Sequence, residues 1–378
     1  MATRAVKTTP PSPEAAQMLQ AMELARQRTL ALVADLDDQQ LERVHSPIMS
    51  PLVWDLGHIA AYEDLWLGQR YGGLELLRPE LATLYDAFET PRAVRGEIEA
   101  LAPAEAKAYM AAVSARVGEV IAERGLDDGV LCEMVLRHEL QHSETMRQTL
   151  DLAGLLSRRD QQQMNAPLEG QEGWLEVPGG AFSMGAGAQG FAYDNERPRH
   201  RVELPAFKLA HRPVSNASWL HFSEGGGYER REWWSREGWA WKEEYDIGHH
   251  PAAATGHPEA PVCHVSWFEA DAFARAHDAR LPTEAEWERA VTWTQGTGGR
   301  LAGIARVWEW TSSCFGGYPG FVAYPYREYS QVFFGEHYRV LRGGSWATHP
   351  RVANTTFRNW DLPQRRQIFA GVRLAREL

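Results

Sequence analysis

Residues 137–144 read RHELQHSE, with His138 and His142 four residues apart and Gln141 between them. On an α-helix, side chains at i and i+4 lie one above the other, close enough for two imidazoles to share one ion. Leu131, Met134, His138, Gln141, His142 and Thr145 fall on one helical stripe that begins apolar, so the pair is expected to point into a helical core. Burying two imidazoles without partners is costly, and a metal ion removes that cost. A bare HxxxH is a weak signal, common among solvated pairs. A third histidine strengthens it: His58 stands in SPLVWDLGHIAAYEDLW beside an apolar face of Leu52, Val53, Leu56 and Ile59. Three neutral imidazoles occupy one side of an ion and leave coordination positions open. With zinc that arrangement serves a hydrolase or transferase, and with iron(II) it serves oxygen chemistry. Ligand identity does not choose between them. Glu144, one position past the stripe, is placed either to orient a ligand histidine or to be a surface charge.

The elements that must position these histidines are helical. EAAQMLQAMELARQRTLALVADL is long, rich in Ala and Leu and free of Gly and Pro. A second helix is expected to start near Ser50-Pro51 and to run through LVWDLGHIAAYEDLWLGQRY to Gly72-Gly73. A third covers PAEAKAYMAAVSARVGEVIAERG and a fourth DDGVLCEMVLRHELQHSETMRQTLDLAG, acidic at its start and ending at Gly154. Four such helices imply a bundle over residues 13–154, after a flexible tail of residues 1–12. Residues 155–173, LLSRRDQQQMNAPLEGQEG, read as a linker. From residue 174 the texture becomes strand-like and loop-rich: GWLEVPGGAFSMGA and RHRVELPAFKLA suggest short strands, SNASWLHFSEGG and SWFEADAFARAHDA helices, and PTEAEWERA, RVWEWTSS and RVLRGGSW loops rich in aromatics.

Composition narrows the classes. The 378 residues suit two domains, and of the 15 tryptophans only Trp54 and Trp66 precede residue 170, so the halves differ in kind. A formal net charge of -11 argues against nucleic acid as a partner. No apolar run is long enough to span a bilayer, and the N-terminus lacks the apolar stretch of a secretory signal. Cys132, Cys263 and Cys314 form neither a CxxC pair nor a disulfide framework, which fits a cytoplasmic setting.

MSPLVWDLGHIAAYEDLW, the HxxxHxE of residues 138–144, YDAFETPRAVR, LPTEAEWERA, VWEWTSS, RVLRGGSW and FRNWDLPQRRQIFAGVRLA together resemble the ergothioneine-type sulfoxide synthases and their selenoneine synthase branch. The resemblance covers nearly the whole chain. It implies an α+β multidomain fold: a DinB-like four-helix bundle, then a loop-rich mixed α/β domain similar to formylglycine-generating enzyme, with a C-type-lectin-like scaffold. It further implies Fe(II) held by His58, His138 and His142, O2 as co-substrate, and carbon–sulfur or carbon–selenium bond formation at imidazole C2 of hercynine. The donor is a thiol, γ-glutamylcysteine or cysteine, or a selenosugar. The family holds the betaine with Gln141 and with Asn359, Trp360 and Asp361, a combination suited to a trimethylammonium group because an aromatic face beside a carboxylate attracts a cation. Arg92, Arg95 and Arg365 match positions that grip donor carboxylates, whose shape suits a guanidinium fork. A tyrosine serves the family as proton donor in the oxygen step, a role open here to Tyr326 or Tyr329, with Tyr318 expected as a core or loop tyrosine and Arg366 in a structural ion pair. The cysteine pair that binds copper in formylglycine-generating enzymes has no counterpart after Cys314. The segment between EAEWERA and VWEW is short for the family. Two readings from other classes stand beside this one: a zinc- or nickel-dependent thiol transferase of the DinB type, and a non-enzymatic binding module.

Overall fold

The computed structural model describes residues 11–170, 172–250 and 253–378. Most of the expected tail 1–12 therefore lies outside the described residues, and Ser12 already caps the first helix. The chain divides into two compact units, the first ending at Leu156 and the second beginning at Ser157.

In the first unit α1 (Pro13–Leu32), the short α2 (Asp38–Glu42), α3 (Leu52–Glu63), α4 (Pro103–Arg124) and α5 (Val130–Leu152) form the bundle, with α1 against α5 and α3 against both α4 and α5. The sequence suggests a single helix through Tyr71. Instead α3 passes at Asp64 into a π-helical stretch, Asp64–Tyr71. Buried Asp64 accepts a hydrogen bond from Leu77 N, and Gly68 leaves room for its carboxylate. At the same end of the bundle, where Tyr71 Oη donates to Gly125 O, Gly125 (φ 83°) ends α4 and Gly129 (φ 72°) starts α5, both left-handed conformations that suit glycine. One buried cation joins all four long helices. Arg26 of α1 pairs with Glu63 at 2.7 Å and Glu139 at 2.9 Å, and donates to Met110 O and Ser114 Oγ of α4.

The second unit opens with α6 (Arg158–Met164), so the stretch 155–173 is not a featureless linker. Ser157 Oγ accepts from Asp160 N and starts a helical turn there. Then follow β1 (Trp174–Val177), β2 (Gly180–Met184), β3 (His200–Leu204), β4 (Phe207–Ala210), α7 (Asn216–Glu224), α8 (Arg236–Glu244), α9 (Trp267–Ala276), α10 (Glu284–Gly296), β5 (Trp308–Cys314), β6 (Arg339–Arg342), β7 (Asn359–Asp361), β8 (Ala370–Gly371) and β9 (Ala375–Glu377). The strands form a β1-β4-β9 sheet, a β2-β3 hairpin and a β7-β6-β5-β8 sheet. PTEAEWERA, expected as loop, is the start of α10. Thr283 and Glu286 cap it reciprocally, and Trp287, Ala290 and Val291 pack on Val177, Phe207 and Leu209. Buried ion pairs brace the sheets: Arg373 grips Glu309 through both carboxylate oxygens at 2.7 Å, and Glu309 also accepts Trp287 Nε1. β7 is an edge strand, pairing Leu341 with Asn359 and Arg339 with Asp361.

Candidate metal centre

α3 and α5 together bring His58, His138 and His142 to one point. One ring nitrogen from each lies within 4.8 Å of the others, the spacing of ligands around a single ion. His58 Nε2 and His138 Nε2 are 3.1 Å apart. His58 is buried, whereas His138 and His142 are half-buried, so the pair on α5 does not point fully into the core as the periodicity implies. The three rings converge where the bundle interior meets its surface, which leaves an ion there reachable. Desolvation holds His58 and His138 well below the ordinary imidazole pKa, with the neighbouring His142 adding to the effect. Both are therefore neutral, with lone pairs free to bind. This donor set fits a divalent transition metal.

Each ring has a neighbour facing it. His58 Nδ1 donates to Tyr85 O at 2.6 Å, which turns Nε2 toward the other two histidines. Its ring stacks on Trp54 with centroids 4.9 Å apart and planes at 13°. His138 stacks on Tyr62 at 3.7 Å and 10°. His142 Nδ1 lies 3.4 Å from Asp55 Oδ1. Gln141 is half-buried on α5 beside His142.

The second unit gathers another group of the residues singled out above. Tyr326, Tyr329 and Trp360 belong to one aromatic cluster, with Tyr326–Tyr329 centroids at 6.2 Å and Tyr329–Trp360 at 6.1 Å. Tyr193 stacks on Tyr329 at 4.4 Å, and Phe315 on Trp360 at 4.1 Å. The pleat of β7 sends Asn359 and Asp361 to one face and Trp360 to the other. Asp361 Oδ2 accepts from Gln367 Nε2 at 3.4 Å, and Arg365 Nε stands 3.8 Å from Asp361 Oδ1.

Two domain families match this architecture: the DinB superfamily over residues 21–146, and the sulfatase-modifying factor enzyme 1-like domain over residues 160–302 and 301–378. The hercynine oxygenase of Mycobacterium tuberculosis is 41% identical over 93% of this chain and 96% of its own. The chain belongs to the hercynine oxygenase family. It is an oxygenase, with the DinB bundle preceding the second domain. The hercynine oxygenase of Mycolicibacterium smegmatis is likewise 41% identical over 93% of this chain and 96% of its own. Ergothioneine biosynthesis protein 1 of Schizosaccharomyces pombe is 25% identical over 65% of this chain and 38% of its own. The alignment with the M. tuberculosis protein runs over 420 positions against 378 residues here, so that relative carries segments this oxygenase lacks.

The remaining expected residues of this oxygenase fall in different settings. Arg92 is exposed. Arg95 is buried, its guanidinium 3.6 Å over the Trp54 ring and donating to Thr90 O, Ser50 Oγ and Ala87 O, so its donors serve the loop. Tyr318 is buried, with Arg358 over its ring at 4.2 Å and its hydroxyl toward Glu284. Arg366 pairs with buried Glu269 at 3.1 Å. Cys132 is buried, which pushes its thiol up to about 12, and no cysteine is in a disulfide. Glu144 is buried rather than a surface charge, and the carboxylate beside His142 Nδ1 is Asp55. Asp55 and Tyr85 are absent from the sequence reading. The spacing of Asp55, one turn before His58, was a usable signal, but a backbone carbonyl such as that of Tyr85 leaves none.

Proposed function

We propose that this oxygenase uses Fe(II) and O2 to join a donor chalcogen to imidazole C2 of hercynine, as a sulfoxide synthase of ergothioneine biosynthesis or, with a selenosugar, as a selenoneine synthase. The observation that carries the reading is the convergence of three imidazoles within 4.8 Å in a chain of this family. The relatives' names supply hercynine and ergothioneine. Bound iron would activate O2 and draw the donor as its anion. In the sulfoxide reaction one oxygen atom ends on sulfur, and the other leaves as water with the hydrogens taken from imidazole C2 and the thiol.

The chain's own groups have separate tasks. His58, His138 and His142 would hold the ion, which would gather both substrates and replace a bimolecular encounter with a held pair. In the second unit Asn359 and Asp361 suit the betaine, Asp361 contributing the negative charge that a trimethylammonium group needs, while Trp360 leaves by the other face of β7 into the aromatic cluster; in the first unit Gln141, beside His142, is the residue suited to it. Arg92 and Arg365 grip donor carboxylates; Arg95 shapes the loop that carries Arg92. Tyr326 or Tyr329 delivers the proton, from a phenol held in an aromatic cluster. The unpaired cysteines suit a cytoplasmic setting.

The test is mass spectrometry of aerobic reactions containing Fe(II) and hercynine, with γ-glutamylcysteine, cysteine and a selenosugar supplied in turn. A coupled product from one of the three is expected, with matching O2 uptake, and none from His138→Ala. Turnover that proceeds without O2 would instead mark a zinc or nickel transferase and end the proposal.

A further inference from the structure

Asp55 lies on α3 one turn before His58 and is only 2% exposed. Its Oδ2 has no hydrogen-bond partner, and neither has His142 Nδ1, the atom that faces Oδ1 at 3.4 Å. That distance is long for a hydrogen bond to a carboxylate, which is usually made well under 3 Å. The adjacent cation, Arg95, has its Nε, Nη1 and Nη2 donating to Thr90 O, Ser50 Oγ and Ala87 O. A buried carboxylate oxygen left in this condition is costly.

We propose that Asp55 is a positioning residue of the metal centre: it holds His142 through Nδ1, presents Nε2 to the ion, and supplies a negative charge that imidazole ligands do not carry. This rests on the metal reading above. An imidazole bound to a cation through one nitrogen is a stronger hydrogen-bond donor through the other, and a carboxylate there raises its basicity as a ligand. The two buried ends of the Asp55–His142 contact therefore gain their partner when the ion is present. His58 is held in the same manner by a neutral group, the Tyr85 carbonyl. The centre thus has one ligand backed by charge and one backed by a dipole, both arranged from α3 or the loop packed on it.

The sign of the stability change separates this role from a structural one. The full-length protein is compared with Asp55→Asn, and with Asp55→Ala as second variant, in ion-free form and under anaerobic titration with Co(II) and Fe(II). Ion-free Asp55→Asn is expected to melt at or above the wild-type temperature, since an unpaired buried charge has been removed. Its ion affinity is expected to fall roughly 10- to 100-fold, the usual effect of losing such a support. The Co(II) ligand-field bands should shift, and the Fe(III)/Fe(II) midpoint should rise because a negative charge has left. A lower ion-free melting temperature together with unchanged affinity, Co(II) spectrum and midpoint would make Asp55 purely structural and overturn the proposal. Wild-type protein that binds neither ion would overturn the metal reading itself, and the assignment of Asp55 with it.

Discussion

A Cβ built on Gly57 would stand 2.1 Å from Cζ of Tyr85, inside the ring. That ring is anchored at its far end, where the hydroxyl accepts from Leu101 N at 3.0 Å, and its own backbone carbonyl orients His58. Gly57 is therefore the vacancy on α3 that lets Tyr85 reach the ligand beside it. Replacing a helical glycine by alanine normally stabilises by about 1 kcal/mol. At Gly57 the sign should reverse: overpacking costs about 1–3 kcal/mol, and displacement of the Tyr85 carbonyl should weaken ion binding roughly tenfold. Gly118 on α4, with nothing within 4 Å of its Cβ position, is the control and should show the normal gain. Thermal melts and anaerobic ion titrations of both variants check this, and a stabilised Gly57→Ala with full affinity would remove Tyr85 from the account. The histidines themselves were legible at this scale because imidazoles one turn apart are written directly in the sequence. Their supports were less so: a carbonyl and a vacancy carry no local mark, and Asp55, though one turn before His58, serves His142 on another helix.

Among elements, α3 does more for the centre than its single ligand suggests. Trp54, His58 and Tyr62 follow one another at helical spacing, and Asp55 is adjacent, so one helix stacks on two of the rings, supplies one and faces the third through a carboxylate. α5 then has only to offer His138 and His142 on its matching stripe. In the second unit α10 has the corresponding duty. Its Glu284 and Glu288 bind buried Arg342, and Glu284 also binds Arg358 next to β7. Thr283 starts this helix by accepting Glu286 N at 3.1 Å, while Glu286 accepts Thr283 N at 2.8 Å. Thr283→Ala should lower stability by about 1 kcal/mol, the ordinary value of such a cap, and Thr283→Ser should restore most of it; chemical denaturation measures both. This helix and α6 both lie where the sequence suggests loop or linker. Each begins with a hydroxyl followed three residues later by an acid, Thr283–Glu286 and Ser157–Asp160, a signature that outranks the surrounding polar texture. The π-helical turn after Glu63 had no such mark. It accompanies the burial of Asp64, which accepts from Leu77 N in the segment that follows.

At the scale of the molecule, acid should weaken the fold through His250. Its neutral ring is used at both nitrogens: Nδ1 accepts from Ala253 N at 3.2 Å and Nε2 donates to His264 O at 3.2 Å. Burial pushes its pKa down to about 4. The unfolded chain takes up the proton near the ordinary value of about 6.5, so the unfolded form binds more protons between these limits. Stability from this group is therefore complete above about pH 6.5 and declines as pH falls toward 4, by up to about 3 kcal/mol. Denaturation midpoints measured from pH 7.5 to 4 should show that decline, and it should be smaller in His250→Asn. By itself the sequence determined the division into a helical and a mixed unit, the four long helices, the metal-type spacing of His138 and His142 and the family resemblance. These are legible because periodicity, caps and motif blocks act between residues a few positions apart. Only the tertiary structure decided that Arg95 is turned into its own loop, that Trp360 leaves β7 by the face opposite Asp361, and that Asp55 meets His142. Those contacts depend on how separate elements pack, and packing is set by the sum of many weak side-chain fits that no short stretch of residues records.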